Sequence, residues 1–278
     1  NYTSSINNLA VLLREAQFNN VTKTNSNNLK ELFLLLFRRN DINHKDIFHN
    51  AKIFLFIEET KKDINLFFNS NSLLIKEQII QKLLGEELFL LMLQKTLIVD
   101  RLLEKILTKL RYEILYIFLA SNDNILKKNT DFIISLSEQC FLNEYIFFQT
   151  EKEVNLINQL QYSLEDDQNI NELEIALLGC YVPLSSSKII ADKLFNYRSE
   201  NHLFNNLIKT QISEPLKEKE LMVSIKPIGN ITNSISKKVQ GQYEINPYPR
   251  WKNTHGSSSN SFLDILNHEI EPNKVRIN

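Results

Sequence analysis

Apolar residues recur at helical spacing almost without interruption from Ser4 to about Tyr181. Ile6, Leu9, Ala10, Leu13 and Ala16 line one face of a first helix. Asn27 or Asn28 can cap the next, residues 29–37, which stops at Arg38 and Arg39 followed by the turn residues Asn40 and Asp41. Phe48, Ala51, Ile53, Phe54, Leu55 and Ile57 form a third. Ser72 opens a fourth, and Gly85 parts it from the apolar stretch 88–93. Residues 97–118 read as a long amphipathic helix, with Leu102, Leu103, Ile106, Leu110, Ile114 and Ile117 inward. Glu104, Lys105, Lys109 and Glu113 fall outward at spacings that allow i,i+4 pairing. Thr130 or Asp131 starts a helix expected to run through Phe148, and two more follow near 151–163 and 171–181. The expected fold is all-α: an irregular multi-helix bundle or array.

The pattern changes after Tyr181. Pro183 ends a helix, short helices are expected near 187–197 and 199–211, and Glu214-Pro215 opens a charged one, since proline suits a first helical turn. Residues 225–231 hold Pro227 and Gly229 and read as a connector. Ser234 then caps a helix through Gln242 or Tyr243. An extended aromatic segment, Tyr243 to Trp251, is followed by a Gly/Ser-rich loop at 256–260 and a short helix at 262–268. The expected organisation is a helical domain over 1–182, short helices over 183–222 and a linker segment over 223–278.

Composition supports helices and removes several function classes. The 278 residues hold 5 glycines and 6 prolines, all the prolines from Pro183 onward. β-Sandwiches, barrels and propellers consume turn residues at a higher rate, and no two glycines are spaced for a phosphate-binding loop. Lys+Arg 32 against Asp+Glu 33 leaves a net charge of -1, which gives no basic field for nucleic acid. No apolar run is long enough to span a bilayer, and no charged-then-apolar leader precedes the first helix. The expected location is cytoplasmic. An abundance of Asn, Lys and Ile often reflects an AT-rich genome, which weakens any functional reading of Asn clusters.

Candidate chemistry is sparse. Cys140 and Cys180 sit in apolar surroundings and read as buried free thiols, and neither has an activating base nearby in sequence. His44 and His49 are five apart, off the metal-pair spacing, and read as solvated helix residues. Glu138 and Glu144 flank Cys140, but the Glu-x-x-His repeats of a di-metal bundle are absent. No catalytic or metal-binding residue is assigned. The segment 246–251 differs in kind: Pro247 and Pro249 fix an extended backbone and restrict their neighbours, while Arg250 and Trp251 supply a fork donor and a large amphipathic ring. Two readings stand: an ordered linker whose tryptophan plugs a neighbouring core, or a wall against a ligand pocket.

The stretch Gln240-Gly241-Gln242-Tyr243-Glu244-Ile245-Asn246-Pro247-Tyr248-Pro249-Arg250-Trp251 resembles the Q-Y-E-x-N-P-Y-P-R-W signature of one bacterial family. Its members join a tetratricopeptide or helical N-terminal region to an S-adenosylmethionine-dependent methyltransferase domain. Leu102 to Arg111, Gln139 to Tyr145 and Glu214-Pro215-Leu216 look like the same family, so the likeness runs from about Leu29 onward. Asn8-Leu9-Ala10 with Leu13 and Phe18 is similar to the first helix of a tetratricopeptide unit, although no repeat of about 34 residues follows. The resemblance implies a helical region that binds or positions a protein substrate or partner. It also implies that Tyr243, Tyr248, Arg250 and Trp251 edge an S-adenosylmethionine pocket, the tyrosines covering the cofactor and Arg250 pairing with its carboxylate. The family's signature leads into a strand and a glycine-rich loop, which this sequence lacks. The expectation is therefore a fragment cut before the catalytic domain, inactive alone. The alternative is a non-catalytic helical protein–protein interaction module.

Overall fold

The computed structural model describes residues 2–18, 23–56, 58–120, 124–224 and 233–245. Among them the chain is all-α, an irregular array with no strand. Its first half consists of α1 (Tyr2–Glu15), α2 (Lys23–Phe37), α3 (His44–Leu55), α4 (Glu58–Asn69), α5 (Leu73–Leu84), α6 (Glu87–Lys95) and α7 (Arg101–Leu119). Then come α8 (Asn124–Lys128), α9 (Thr130–Leu142), α10 (Glu151–Asp166), α11 (Glu172–Gly179), α12 (Lys188–Phe195), α13 (His202–Ile208), α14 (Glu214–Ser224) and α15 (Ser234–Ile245). No described helix is long and apolar enough to cross a membrane.

The centre of the array is α9, which packs against α6, α11 and α13. Its sequence is apolar nearly all round, and Phe132, Ile133, Ile134, Leu136 and Cys140 are all buried. A helix without a polar face must be covered on every side. α11 is equally apolar, and its C-terminus approaches α9 so closely that a Cβ at Gly179 would lie 2.3 Å from Ser137 Oγ. Leu184, Ile190, Leu194, Phe204, Leu207 and Ile212 belong to the same core as α9, so burial continues past Pro183.

Several boundaries differ from expectation for identifiable reasons. α7 begins at Arg101 because Asp100 caps it, accepting from the amides of Leu102 (3.1 Å) and Leu103 (3.0 Å). Buried Gln139 holds the extended run before it: its amide donates to the carbonyls of Leu93 and Thr96, and its oxygen accepts from Ile98 N. α4 lies between the third and fourth expected helices, with a polar sequence but with Ile64 and Phe67 buried. His44, expected in solvent, is buried against Phe37, with Nε2 3.0 Å from the Arg39 carbonyl. Pro215 does not open a separate helix. Residues 202–224 run on through a π-helical turn, Lys209–Ser213. Proline has no N–H for an i→i−4 bond and clashes with that carbonyl, and a widened turn relieves both.

Asp100 also pairs with Lys52 of α3. Burial opposes its charge, but the Lys52 ammonium and the two capping amides outweigh that and hold its pKa below the usual carboxylate value. The folded pKa lies below the unfolded one. Its stabilisation is therefore complete above about pH 4 and is lost as pH falls through the lowered value. Asp100→Asn keeps a capping oxygen and removes the charge. It is expected to cost about 1 kcal/mol near neutral pH, with the gap to wild type closing in acid, as urea denaturation at the two pH values would show.

Candidate partner-binding groove

A shallow groove of about 580 Å³ opens on the surface formed by the described residues. It lies between the outer face of α7, the end of α4 and the segment joining α9 to α10. Arg101, Glu104, Lys105, Thr108, Lys109 and Tyr112 recur at i, i+3 and i+4 along α7, and this stripe is only partly covered. Phe68 of α4 stands at the edge. The other wall is Ile146, Phe147 and Phe148, of which Ile146 and Phe148 are 64% and 75% exposed.

The position of that wall begins with how α9 ends. The helix was expected to reach Phe148 but stops at Leu142. Tyr145 N donates to Cys140 O (2.9 Å) and Glu144 N to Phe141 O (3.2 Å), the two bonds of a Schellman cap. Such a cap needs a left-handed residue, usually glycine, yet here Glu144 (φ 58°) and Tyr145 (φ 57°) both take that conformation. Tyr145 is held from behind, its hydroxyl lying 3.3 Å from Gln211 Oε1 and 3.4 Å from Gly179 O. Glu144→Gly should relieve strain and raise stability by roughly 0.5–1 kcal/mol in a denaturant titration, whereas glycine inside a helix lowers it by a similar amount.

Beyond the turn, Arg111 fixes the backbone. Its guanidinium is fully buried and donates to the carbonyls of Phe148 (2.7 Å), Phe147 (3.3 Å) and Cys180 (3.3 Å). It also stacks 4.3 Å from the Tyr181 ring centroid. Glu153 lies 4.0 Å away and supplies the countercharge. Burial raises the pKa of Tyr181 far above the ordinary tyrosine value, so its hydroxyl stays protonated and donates to Glu153 (3.1 Å). The same Glu153 closes a capping box with Thr150 at the start of α10. One buried ion pair thus ties α7, α10, the end of α11 and the exposed wall together.

The outward face of α7 needs two corrections. Leu102, expected inside, is exposed, and Glu113, expected outside, is buried between Lys109 (3.1 Å) and Lys76 of α5 (3.0 Å). Arg111 has a sequence signal that went unused: it falls four residues after Leu107, on the buried side of an amphipathic helix. A charge there is either paired inside or misplaced.

Of the residues assigned to a cofactor from sequence, only Tyr243 lies among the described residues. Tyr243 lies in α15, which runs through Ile245, so residues 243–245 are helical where an extended segment was expected. Asn233 rather than Ser234 caps that helix, accepting from the amides of Ile235 and Ser236. Tyr248, Arg250 and Trp251 lie outside the described residues, as do the connector at 225–231, the loop at 256–260 and the helix at 262–268. Among the described residues there is no strand, and so no strand end of the kind that cradles S-adenosylmethionine in a doubly wound fold. Cys140 and Cys180 are buried free thiols. Burial, with the neighbouring Cys140 second, pushes the Cys180 pKa well up and leaves it an inert neutral group. Among the described residues no group of three or more His, Cys, Asp or Glu could hold a metal ion. A smaller cavity of about 270 Å³ between α3, α4, α5, α6 and α7 has an apolar floor including Phe56 and Phe89. Its rim carboxylates are engaged, Asp63 by Lys82 and Glu86 by Lys30. Comparison with family models, curated proteins and solved structures gave no match.

Proposed function

We propose that this chain is the helical partner-binding region of an S-adenosylmethionine-dependent methyltransferase-like protein, and that the α4–α7 groove receives a segment of the protein partner or substrate. The observation that carries the partner-binding reading is the wall at 146–148. Two large apolar side chains are held in solvent by a backbone that a buried arginine, a capping box and a left-handed turn all constrain. Apolar side chains rigidly presented beside a groove lose little entropy on contact, which is the property of a binding anchor. The methyltransferase part rests on the sequence signature alone.

The partner-binding reading is tested by selecting peptides from a display library on the wild-type protein and comparing their affinity for the Ile146→Ser/Phe148→Ser variant. Both positions are exposed, so the variant should fold. Selected peptides should lose roughly tenfold or more in affinity, the order expected for removing two apolar anchors. Peptides that bind both proteins equally contradict the reading. The methyltransferase part is tested separately by the gene: it requires a strand and glycine-rich loop encoded after Asn278. A stop codon there contradicts it and leaves the non-catalytic interaction module, which uses the same groove.

A further inference from the structure

The charges along α7 specify what kind of segment the groove takes. Arg101, Lys105 and Lys109 stand one helical turn apart, about 6 Å from each to the next. No carboxylate among the described residues pairs with Arg101 or Lys105. Lys109 shares Glu113 with Lys76, so that trio keeps an excess positive charge. Of the acids that line the groove, Glu153 is buried and committed to Arg111, Tyr181 and Thr150, which leaves the half-buried Glu104. On a chain whose net charge is -1, this face is locally basic. The same groove is lined by the apolar side chains of Ile146, Phe148 and Phe68.

We infer that the groove binds an extended peptide segment in which carboxylates alternate with large apolar residues. In an extended chain alternate side chains point to opposite sides and repeat about every 6.5–7 Å. One edge of such a segment would meet the cation row, and the other would meet Ile146, Phe148 and Phe68. Carboxylates beside unpaired Arg and Lys gain charge-assisted hydrogen bonds, and the charges set specificity while the apolar wall supplies most of the affinity. Single-stranded nucleic acid is the competing polyanion. It is disfavoured because Glu104 stands within the cation row and the exposed wall includes an aliphatic residue rather than a continuous stacking platform.

The inference rests on the groove being a partner site, and the test separates the two claims. Fluorescence anisotropy would compare four labelled probes on the whole protein. They are a short peptide alternating Glu with Leu and Phe, the same peptide with Lys for Glu, the same with Ser for Glu, and a short oligothymidylate. The Glu peptide should bind roughly tenfold tighter than the Ser peptide at low salt, and the advantage should shrink as salt rises. In the Arg101→Glu/Lys105→Glu variant, both positions being exposed, preference should pass to the Lys peptide. Equal binding of the Glu and Lys peptides, or an unmoved preference in that variant, overturns the stated chemistry. If Ile146→Ser/Phe148→Ser still abolishes binding in that case, the groove itself survives. Tighter binding of oligothymidylate than of the Glu peptide overturns the peptide in favour of nucleic acid. Absence of binding by every probe overturns the acidic peptide, and selected library peptides that ignore the groove overturn the site.

Discussion

Replacing Arg111 by alanine is expected to cost about 3–5 kcal/mol of folding stability, the range for breaking a buried ion pair by removing one partner. The loss has two sources. Glu153 is left as an uncompensated charge in a site that is only 2% exposed, and the carbonyls of Phe147, Phe148 and Cys180 lose their common donor. Arg111→Lys keeps the charge but not the fork that reaches three carbonyls, so it should fall between wild type and alanine. The double variant Arg111→Met/Glu153→Gln should be more stable than Arg111→Ala, because it removes the stranded charge and restores volume. Denaturant titration of the three variants checks the order. Amide exchange adds a local reading: protection around residues 147–150 should fall first in Arg111→Lys, since the clamp acts there. A loss under about 1 kcal/mol in Arg111→Ala would mean that the ion pair does not hold the wall.

The second large effect belongs to the contact between α9 and α11. In Gly179→Ala the new methyl would sit 2.3 Å from Ser137 Oγ and 3.4 Å from Gln211 Nε2. Neither neighbour can retreat easily. Ser137 is fully buried, and Gln211 donates to both Ser137 O (3.1 Å) and Ser137 Oγ (3.0 Å) while its oxygen accepts from Leu184 N (3.2 Å). The cost should reach about 3 kcal/mol, the upper end of ordinary overpacking. Ser137→Ala removes the colliding atom, so adding it to Gly179→Ala should return at least half of the loss, a coupling that a double-mutant cycle measures directly. Additive losses would show that the two helices can separate at this point. The same residues stand behind Tyr145, so the packing of α9 on α11 and the placing of the exposed wall are one problem.

The helices were legible in the sequence wherever an apolar stripe was strong, as in α7, because periodicity reports burial directly. Three features escaped for physical reasons. The end of α9 carries neither glycine nor proline, and its turn is made by Glu144 and Tyr145 in a conformation that their side chains disfavour. α4 is polar in composition, and its burial rests on Ile64 and Phe67 alone. Arg111, Glu113 and His44 are polar residues taken inside by partners that range from one helical turn away, as Lys109 for Glu113, to 69 positions away, as Cys180 for Arg111, and pattern alone does not reveal a distant partner. The groove was illegible for the same reason, since it joins Phe68, the outer face of α7 and residues 146–153. What sequence did expose was its raw material: Arg101, Lys105 and Lys109 at one-turn spacing.

The partner-binding claim is tested most directly by photocrosslinking. A benzophenone amino acid in place of Phe148 would sit in the proposed wall, and one in place of Tyr162, also strongly exposed but on α10 away from the groove lining, would serve as the control. With the acidic–apolar peptide present, position 148 should give a covalent adduct that excess unlabelled peptide suppresses, and position 162 should give none. Equal adduct yields at the two positions, or an adduct at 148 that unlabelled peptide does not suppress, would contradict the account.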